Sequence, residues 1–176
     1  MKKVLFMGAQ GTGKTSVMEA LPASWPKIQG VTRKTIADNK LAINQDSTDR
    51  SQTAIFDAYS DALSIDKDFI SERSLFDVLA FTQYQFCLGK VSQKVFLDQL
   101  KRTKKFVQEN PDALYIYFPV EFAPADDGQR STDPEYQKAI DAFIRLFIGM
   151  FPIKYMIISG PVSERVRQIQ SVVNFD

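Results

Sequence analysis

A chain of 176 residues, 44% hydrophobic and 24% charged, has the size and balance of one globular domain with a continuous core. Its net charge of +1 supplies no global attraction to nucleic acid or to an anionic membrane. The absence of histidine excludes an imidazole general base, a Ser-His-Asp triad and a His-ligated zinc. Any chemistry therefore rests on carboxylates, Lys, Arg, hydroxyls, backbone amides and a metal held through oxygen.

The single cysteine, Cys87, excludes an internal disulfide and is expected to pack as a small hydrophobe in a reducing compartment. Two lysines open the N-terminus, but the apolar run Val4–Met7 that follows is too short for a signal peptide. No apolar segment reaches membrane-spanning length. The expectation is a cytoplasmic protein with no membrane partner.

Along the chain, Val4–Met7 is a short continuous apolar run before a glycine, the pattern of a strand buried on both faces. Lys14–Leu21 reads as a helix stopped by Pro22, and Lys27–Thr32 as a weak second strand. Residues 47–63 place Ile55, Ala58, Tyr59 and Leu63 along one helical face. Phe69-Ile70 predicts a third strand, followed by a helix to about Leu88 that Gly89 stops. Residues 92–109 form an amphipathic helix, and Leu114–Val120, rich in aromatic and β-branched residues, a fourth strand. Ala123–Arg130, with Asp126-Asp127-Gly128, predicts a loop. Thr132-Asp133-Pro134-Glu135 matches a capping box opening a helix to about Met150. Tyr155–Ser159 is the last strand and 162–172 the closing helix. Strands alternating with helices predict one α/β domain over residues 1–176, a parallel sheet of about five strands between two helical layers.

The segment Gly8-Ala9-Gln10-Gly11-Thr12-Gly13-Lys14-Thr15 satisfies G-x-x-x-x-G-K-[ST] and lies between an apolar strand and a helix. Its glycines let the loop curl so that successive N–H groups face phosphate oxygens, and the helix adds its positive end. Lys14 reaches the β- and γ-phosphates, and the Thr15 hydroxyl ligates Mg²⁺. Gly8, Gln10, Gly11, Thr12, Gly13, Lys14, Thr15 and Ser16 are thus the candidate residues for binding ATP. Switch GTPases carry D-x-x-G and N-K-x-D, and neither occurs here. The acidic strand end of helicases and motor ATPases is missing too, Glu121 being a weak candidate. A kinase fits best.

Phe69-Ile70-Ser71-Glu72-Arg73-Ser74 puts a carboxylate and a guanidinium at the end of a buried parallel strand, where ligands collect. Glu72 can order Mg²⁺ through water or take the proton of an attacking hydroxyl. Arg73 can bind phosphate bidentately. Arg130, in the loop at about 123–132, is placed to close over the triphosphate as a lid residue. Arg33, after the second strand, is a candidate acceptor contact. The candidate sets are therefore Lys14, Glu72, Arg73 and Arg130 for catalysis; Arg33, Glu72, Arg73 and Asp77 for substrate; and Thr15 with Glu72 for Mg²⁺.

The segments GAQGTGKTS, VTRKTIA, FISERSLFDVLAFT, DDGQRSTDPEYQKAID and ISGPVSERVRQI, in that order, resemble the NadR/Ttd14-type P-loop family over nearly the whole chain. Many small members of that family are phage-encoded, which would place the protein in a host cytoplasm. The resemblance implies a nucleoside- or nucleotide-kinase-like fold with strand order 2-3-1-4-5. It carries the phosphate and Mg²⁺ roles to Lys14 and Thr15, the acidic-Arg pair to Glu72-Arg73 and the lid arginine to Arg130. Glutamate at 72, where the family often has aspartate, resembles the Glu-Arg-Ser of deoxynucleoside kinases and favours a sugar-hydroxyl acceptor.

Two alternatives stay open. Lys94, Lys101, Arg102 and Lys105 share one side of the 92–109 helix, opposite Phe96, Leu100 and Val107. Such a stripe is usually a solvated face, but it would also suit a kinase of hydroxymethylated pyrimidines in phage DNA. The other alternative is a sensor that binds ATP and transfers nothing. The 14 phenylalanines are mostly core material, with one or two of Phe76, Phe81, Tyr84 and Phe86 free to stack on an acceptor base. Trp25 suits either a surface cap or a substrate contact. Monomer and dimer are both compatible with the sequence.

Overall fold

The computed structural model describes residues 2–42, 46–123 and 131–175. Its strands are β1 (Lys3–Met7), β2 (Lys27–Ile28), β3 (Phe69–Ser71), β4 (Leu114–Tyr117) and β5 (Lys154–Ile157). The helices are α1 (Lys14–Ala20), α2 (Val31–Asn39), α3 (Asp49–Leu63), α4 (Leu75–Cys87), α5 (Gln93–Glu109), α6 (Pro134–Met150) and α7 (Val162–Gln170). All strand pairs are parallel, in the order β2-β3-β1-β4-β5. Central β1 aligns Val4 with Ile70 of β3 on one side and with Leu114 of β4 on the other.

The apolar runs that predicted doubly buried strands alternate between the two sheet faces, because successive strand side chains point to opposite sides. Leu5 and Met7 join Phe69, Tyr115 and Tyr117 on the face covered by α3, α4, α5 and α6, where Phe56, Leu79, Ile140 and Phe147 are fully or nearly fully buried. Val4 and Phe6 join Ile70, Ile116 and Phe118 on the other face, under Val17 and Met18 of α1 and Ile169 of α7.

Four expectations need correction. The second strand is only Lys27–Ile28; Gly30, at φ +74°, turns the chain out of the sheet, and Val31 and Thr32 open α2 instead. The Thr132–Glu135 capping box is not formed. Asp133 is the cap, its carboxylate accepting the Glu135 N–H at 2.9 Å, with Pro134 in the first turn. Cys87 lies exposed at the end of α4 rather than in the core. Trp25 packs edge-on against Phe175, ring centroids 5.1 Å apart, beneath the α1/α7 layer and away from the sheet's C-terminal crevice.

Candidate functional site

β1 ends at Met7 and the chain curls immediately, so the P-loop starts where the strand's ladder stops. Gly8 is confined: a Cβ there would stand 2.6 Å from the Phe118 carbonyl oxygen and 2.9 Å from the Thr12 hydroxyl. Gly13 caps α1 at φ +85°, a conformation that costs glycine nothing. Lys14 folds back onto its own loop, donating to the Gly8 carbonyl at 2.5 Å, the Ala9 carbonyl at 2.7 Å and the Thr12 hydroxyl at 3.2 Å.

β3 delivers the acidic-basic pair to the same crevice. Glu72 accepts the Gly30 N–H at 2.6 Å and so caps α2 from a different strand. Arg73 is half-buried, 5.6 Å from the centroid of the Phe81 ring. Burial opposes its charge, but Tyr59, Asp77 and Glu72 around it hold the guanidinium above its ordinary pKa, so it stays a fixed cation. Burial pushes the Tyr59 phenol up to about 12, against the pull of Arg73, and its oxygen accepts from Thr32 at 3.2 Å. Tyr136 is held neutral in the same way by burial, edge-on to Phe81 and Tyr84.

A single cavity of about 650 Å³ joins these parts. It is lined by Gln10 through Ser16, by Arg33, and by Glu72 with Arg73. Phe81 and Tyr136 form aromatic wall between them, while Phe76 packs against Tyr115 and Phe151 in the core and Phe86 stacks on Phe96. Asp77 does not line the cavity. It is fully buried beneath it, taking the Gly8 N–H at 3.1 Å on one oxygen and the Ser74 N–H and hydroxyl at 2.9 and 2.8 Å on the other. Its place is structural: it ties the start of the P-loop to the start of α4, 3.9 Å from the Lys14 ammonium. That corrects its assignment to the substrate. Arg130 and the Asp126-Asp127-Gly128 turn lie outside the described residues.

Two further residues hold the loop and went unrecognised in the sequence. Arg165 of α7, 1% exposed, donates to the Thr12 carbonyl and the Gly160 carbonyl, both at 2.7 Å, and pairs with Glu121 at 3.1 Å. Its guanidinium sits between the Phe118 and Phe122 rings, 5.6 and 5.7 Å from their centroids. Glu121 is thereby accounted for as a structural ion-pair partner. Gln137 of α6 donates to the Gln10 carbonyl at 2.7 Å. No local pattern marks either residue's hold on the P-loop, since Thr12 and Gln10 lie 153 and 127 positions away from them.

The basic helix stands apart from the cavity. Arg102 is paired with Asp57 at 2.6 Å and with Asp98 at 3.4 Å, and Lys105 with Glu109 at 3.6 Å. None of these lysines or arginines lines the crevice.

The triphosphate fits the observed loop, whose close approaches at Gly8 leave room for backbone alone. A Mg²⁺ ion fits as well: the Thr15 hydroxyl in the first turn of α1 and Glu72 both face the cavity. Among the described residues there is no cluster of three acidic, cysteine or histidine groups.

No curated protein sequence matches the chain. Among solved structures it is similar to deoxyadenosine kinase from M. mycoides with bound dATP, at TM-score 0.73 and 16% identity over 97% of both chains. It is similar to the NadR protein in complex with NR, at TM-score 0.69 and 16% identity, over 97% of this chain and 50% of that one. YorR protein from Bacillus subtilis, in complex with phosphorylated GDP, matches at TM-score 0.57 and 12% identity over 98% and 95%. At these identities the likeness is one of fold: a nucleoside-kinase-like P-loop architecture with the strand order that the motifs implied. Among the described residues no helix is long and apolar enough to cross a membrane. The AAA domain model AAA_28 matches residues 3–165, and the chain belongs to that family.

Proposed function

We propose that this protein transfers the terminal phosphoryl group of ATP to a hydroxyl or phosphate of a nucleoside or nucleotide. The observation that carries the reading is the convergence of a complete P-loop and the Glu72-Arg73 pair on one cavity of about 650 Å³, within the range of small-molecule sites. A phosphate cradle alone would suit a sensor; a second charged pair across the same cavity suits a second substrate.

The roles follow from the groups present. Backbone N–H groups of the loop and the end of α1 hold the donor's phosphates, with Lys14 turned outward onto the β- and γ-oxygens. Arg73, with Arg130 as a further candidate from the sequence motif, meets the charge that develops as the bond between phosphorus and the β,γ-bridging oxygen breaks and the bond to the acceptor oxygen forms. Glu72 takes the acceptor's proton or supports the metal, and Arg33 orients the acceptor. Mg²⁺, held by Thr15 and Glu72, would neutralise phosphate charge when bound. The aromatic wall of Phe81 and Tyr136 suits a nucleobase.

The test is phosphoryl transfer from γ-labelled ATP with Mg²⁺ to a panel of nucleosides, nucleotides, nicotinamide riboside, and DNA with normal or hydroxymethylated pyrimidines. Label on one acceptor, lost in Lys14→Ala, is expected. ATP binding with no labelled acceptor would overturn the kinase reading in favour of a sensor.

A further inference from the structure

The carboxamide of Gln10 is unusual among the buried polar groups. The residue is 5% exposed, and neither its Nε2 nor its Oε1 has a hydrogen-bond partner. Native structures rarely leave a whole carboxamide unsatisfied, because the lost hydration is not returned. A methionine or leucine would fill the same space without that cost. Conformational accident does not explain it either. The Gln10 backbone is pinned, its carbonyl accepting from Gln137 of α6 at 2.7 Å. The next residue, Gly11, turns the loop at φ +74°. The residue lines the cavity in the third position of the P-loop, two positions after Gly8, where the cradle opens toward Glu72 and Arg73.

The Lys14 ammonium rests on the Gly8 and Ala9 carbonyls, the two residues just before Gln10. A partner held by the loop enters the cavity that Gln10 lines. The two orphan atoms also specify that partner. Nε2 needs an acceptor and Oε1 needs a donor. A phosphate at pH 7 offers acceptors, and a nucleoside hydroxyl offers a donor. A carboxamide is an uncharged side chain that satisfies both together.

We propose that Gln10 bridges the two reactants, its Nε2 donating to an oxygen of the donor's terminal phosphate and its Oε1 accepting from the hydroxyl that attacks it. This rests on the kinase reading and adds a residue that sets acceptor orientation. It also accounts for glutamine at a loop position where phosphate binding needs only the backbone. The attacking hydroxyl has one proton: it rests on Oε1 while the reactants align, and passes to Glu72 as the bond to phosphorus forms, since a neutral amide oxygen is too weak a base to keep it.

The experiment compares wild type with Gln10→Met and Gln10→Asn by thermal unfolding, with and without the non-hydrolysable analogue AMP-PNP plus Mg²⁺, and by steady-state transfer to the acceptor found in the panel. Gln10→Met should unfold about 2–4 °C higher than wild type without nucleotide, since an orphan amide has been removed. Its stabilisation by AMP-PNP should be smaller than that of wild type. Its kcat should fall on the order of 10²-fold, the usual loss for one donor aimed at a transition-state oxygen. Gln10→Asn, which keeps the amide one methylene shorter, should recover part of that loss. A lower unfolding temperature for Gln10→Met, or an analogue-induced shift equal to wild type, overturns the proposal. So does unchanged kcat and KM while wild type transfers label, and in that case the kinase reading survives. If wild type labels no acceptor, the kinase reading falls by itself, and an undiminished AMP-PNP shift in Gln10→Met then also removes the phosphate contact.

Discussion

Replacing Asp77 by alanine should destabilise the protein while leaving the cavity lining untouched. Its carboxylate takes three hydrogen bonds within a fully buried environment: from Gly8 N–H at 3.1 Å, Ser74 N–H at 2.9 Å and the Ser74 hydroxyl at 2.8 Å. Alanine leaves the two backbone donors without partners and removes a buried carboxylate 3.9 Å from the Lys14 ammonium. Each orphaned donor costs about 1–3 kcal/mol, and loss of a buried charge partner typically costs about 3–5 kcal/mol in all. The terms overlap, so about 3–5 kcal/mol is expected for the whole substitution. For a chain of this length that lowers Tm by roughly 6–20 °C. Asp77→Asn keeps the shape and one acceptor but turns an amide NH₂ toward one set of donors, and should lose about half as much. Urea unfolding followed by circular dichroism measures both. A loss below about 1 kcal/mol for Asp77→Ala would show that the P-loop is not tied to α4 through this carboxylate.

Other changes probe the remaining supports. Arg165→Leu removes two hydrogen bonds to backbone carbonyls and the pair with Glu121, and should cost about 3–5 kcal/mol while weakening ATP binding through Thr12. Arg165→Lys should recover little of it, because an ammonium cannot span the two carbonyls and the carboxylate together; calorimetric ATP titration and urea unfolding check this, and full recovery would contradict it. Tyr59 supplies a pH test. Its folded pKa is raised from 10.0 to about 12, so its contribution is fully present below pH 10 and is lost as pH rises toward 12, because the unfolded chain releases that proton first. About 2–3 kcal/mol is at stake over that window. Urea unfolding of Tyr59→Phe should show a shallower fall between pH 10 and 12 than wild type, and parallel slopes would refute the assignment.

The sequence determined, without further help, what local chemistry can encode. The P-loop is a contiguous run whose glycines and Lys14 are read directly, and the strand β1 and helix α1 that flank it follow from an apolar run and a glycine break. Alternating apolar segments announced the parallel sheet, because strands buried on both faces have no polar side to show. α5 was legible from its amphipathic pattern, and α6 from the Asp133-Pro134 start, although the cap is Asp133 rather than the expected capping box. α2 was not, because it buries no residue, and without a core-facing stripe its Val31–Asn39 segment has no helical signature to find. Glu72 and Arg73 stand out in one dimension as a charged pair at the end of an apolar strand, and both line the cavity.

Only the tertiary structure decided how those pieces support one another. Asp77 looks like part of the substrate segment in sequence, yet crossing from β3 to α4 turns it down onto Gly8, 69 positions earlier. Arg165, read as one charge on a terminal helix, becomes a buried clasp on the P-loop, 153 positions from its partner. The unsatisfied amide of Gln10 exists only in the folded chain, where the residue is 5% exposed. These features share a physical cause. Burial and hydrogen-bond satisfaction depend on what the rest of the fold brings alongside a residue, and no local pattern of residue types records them.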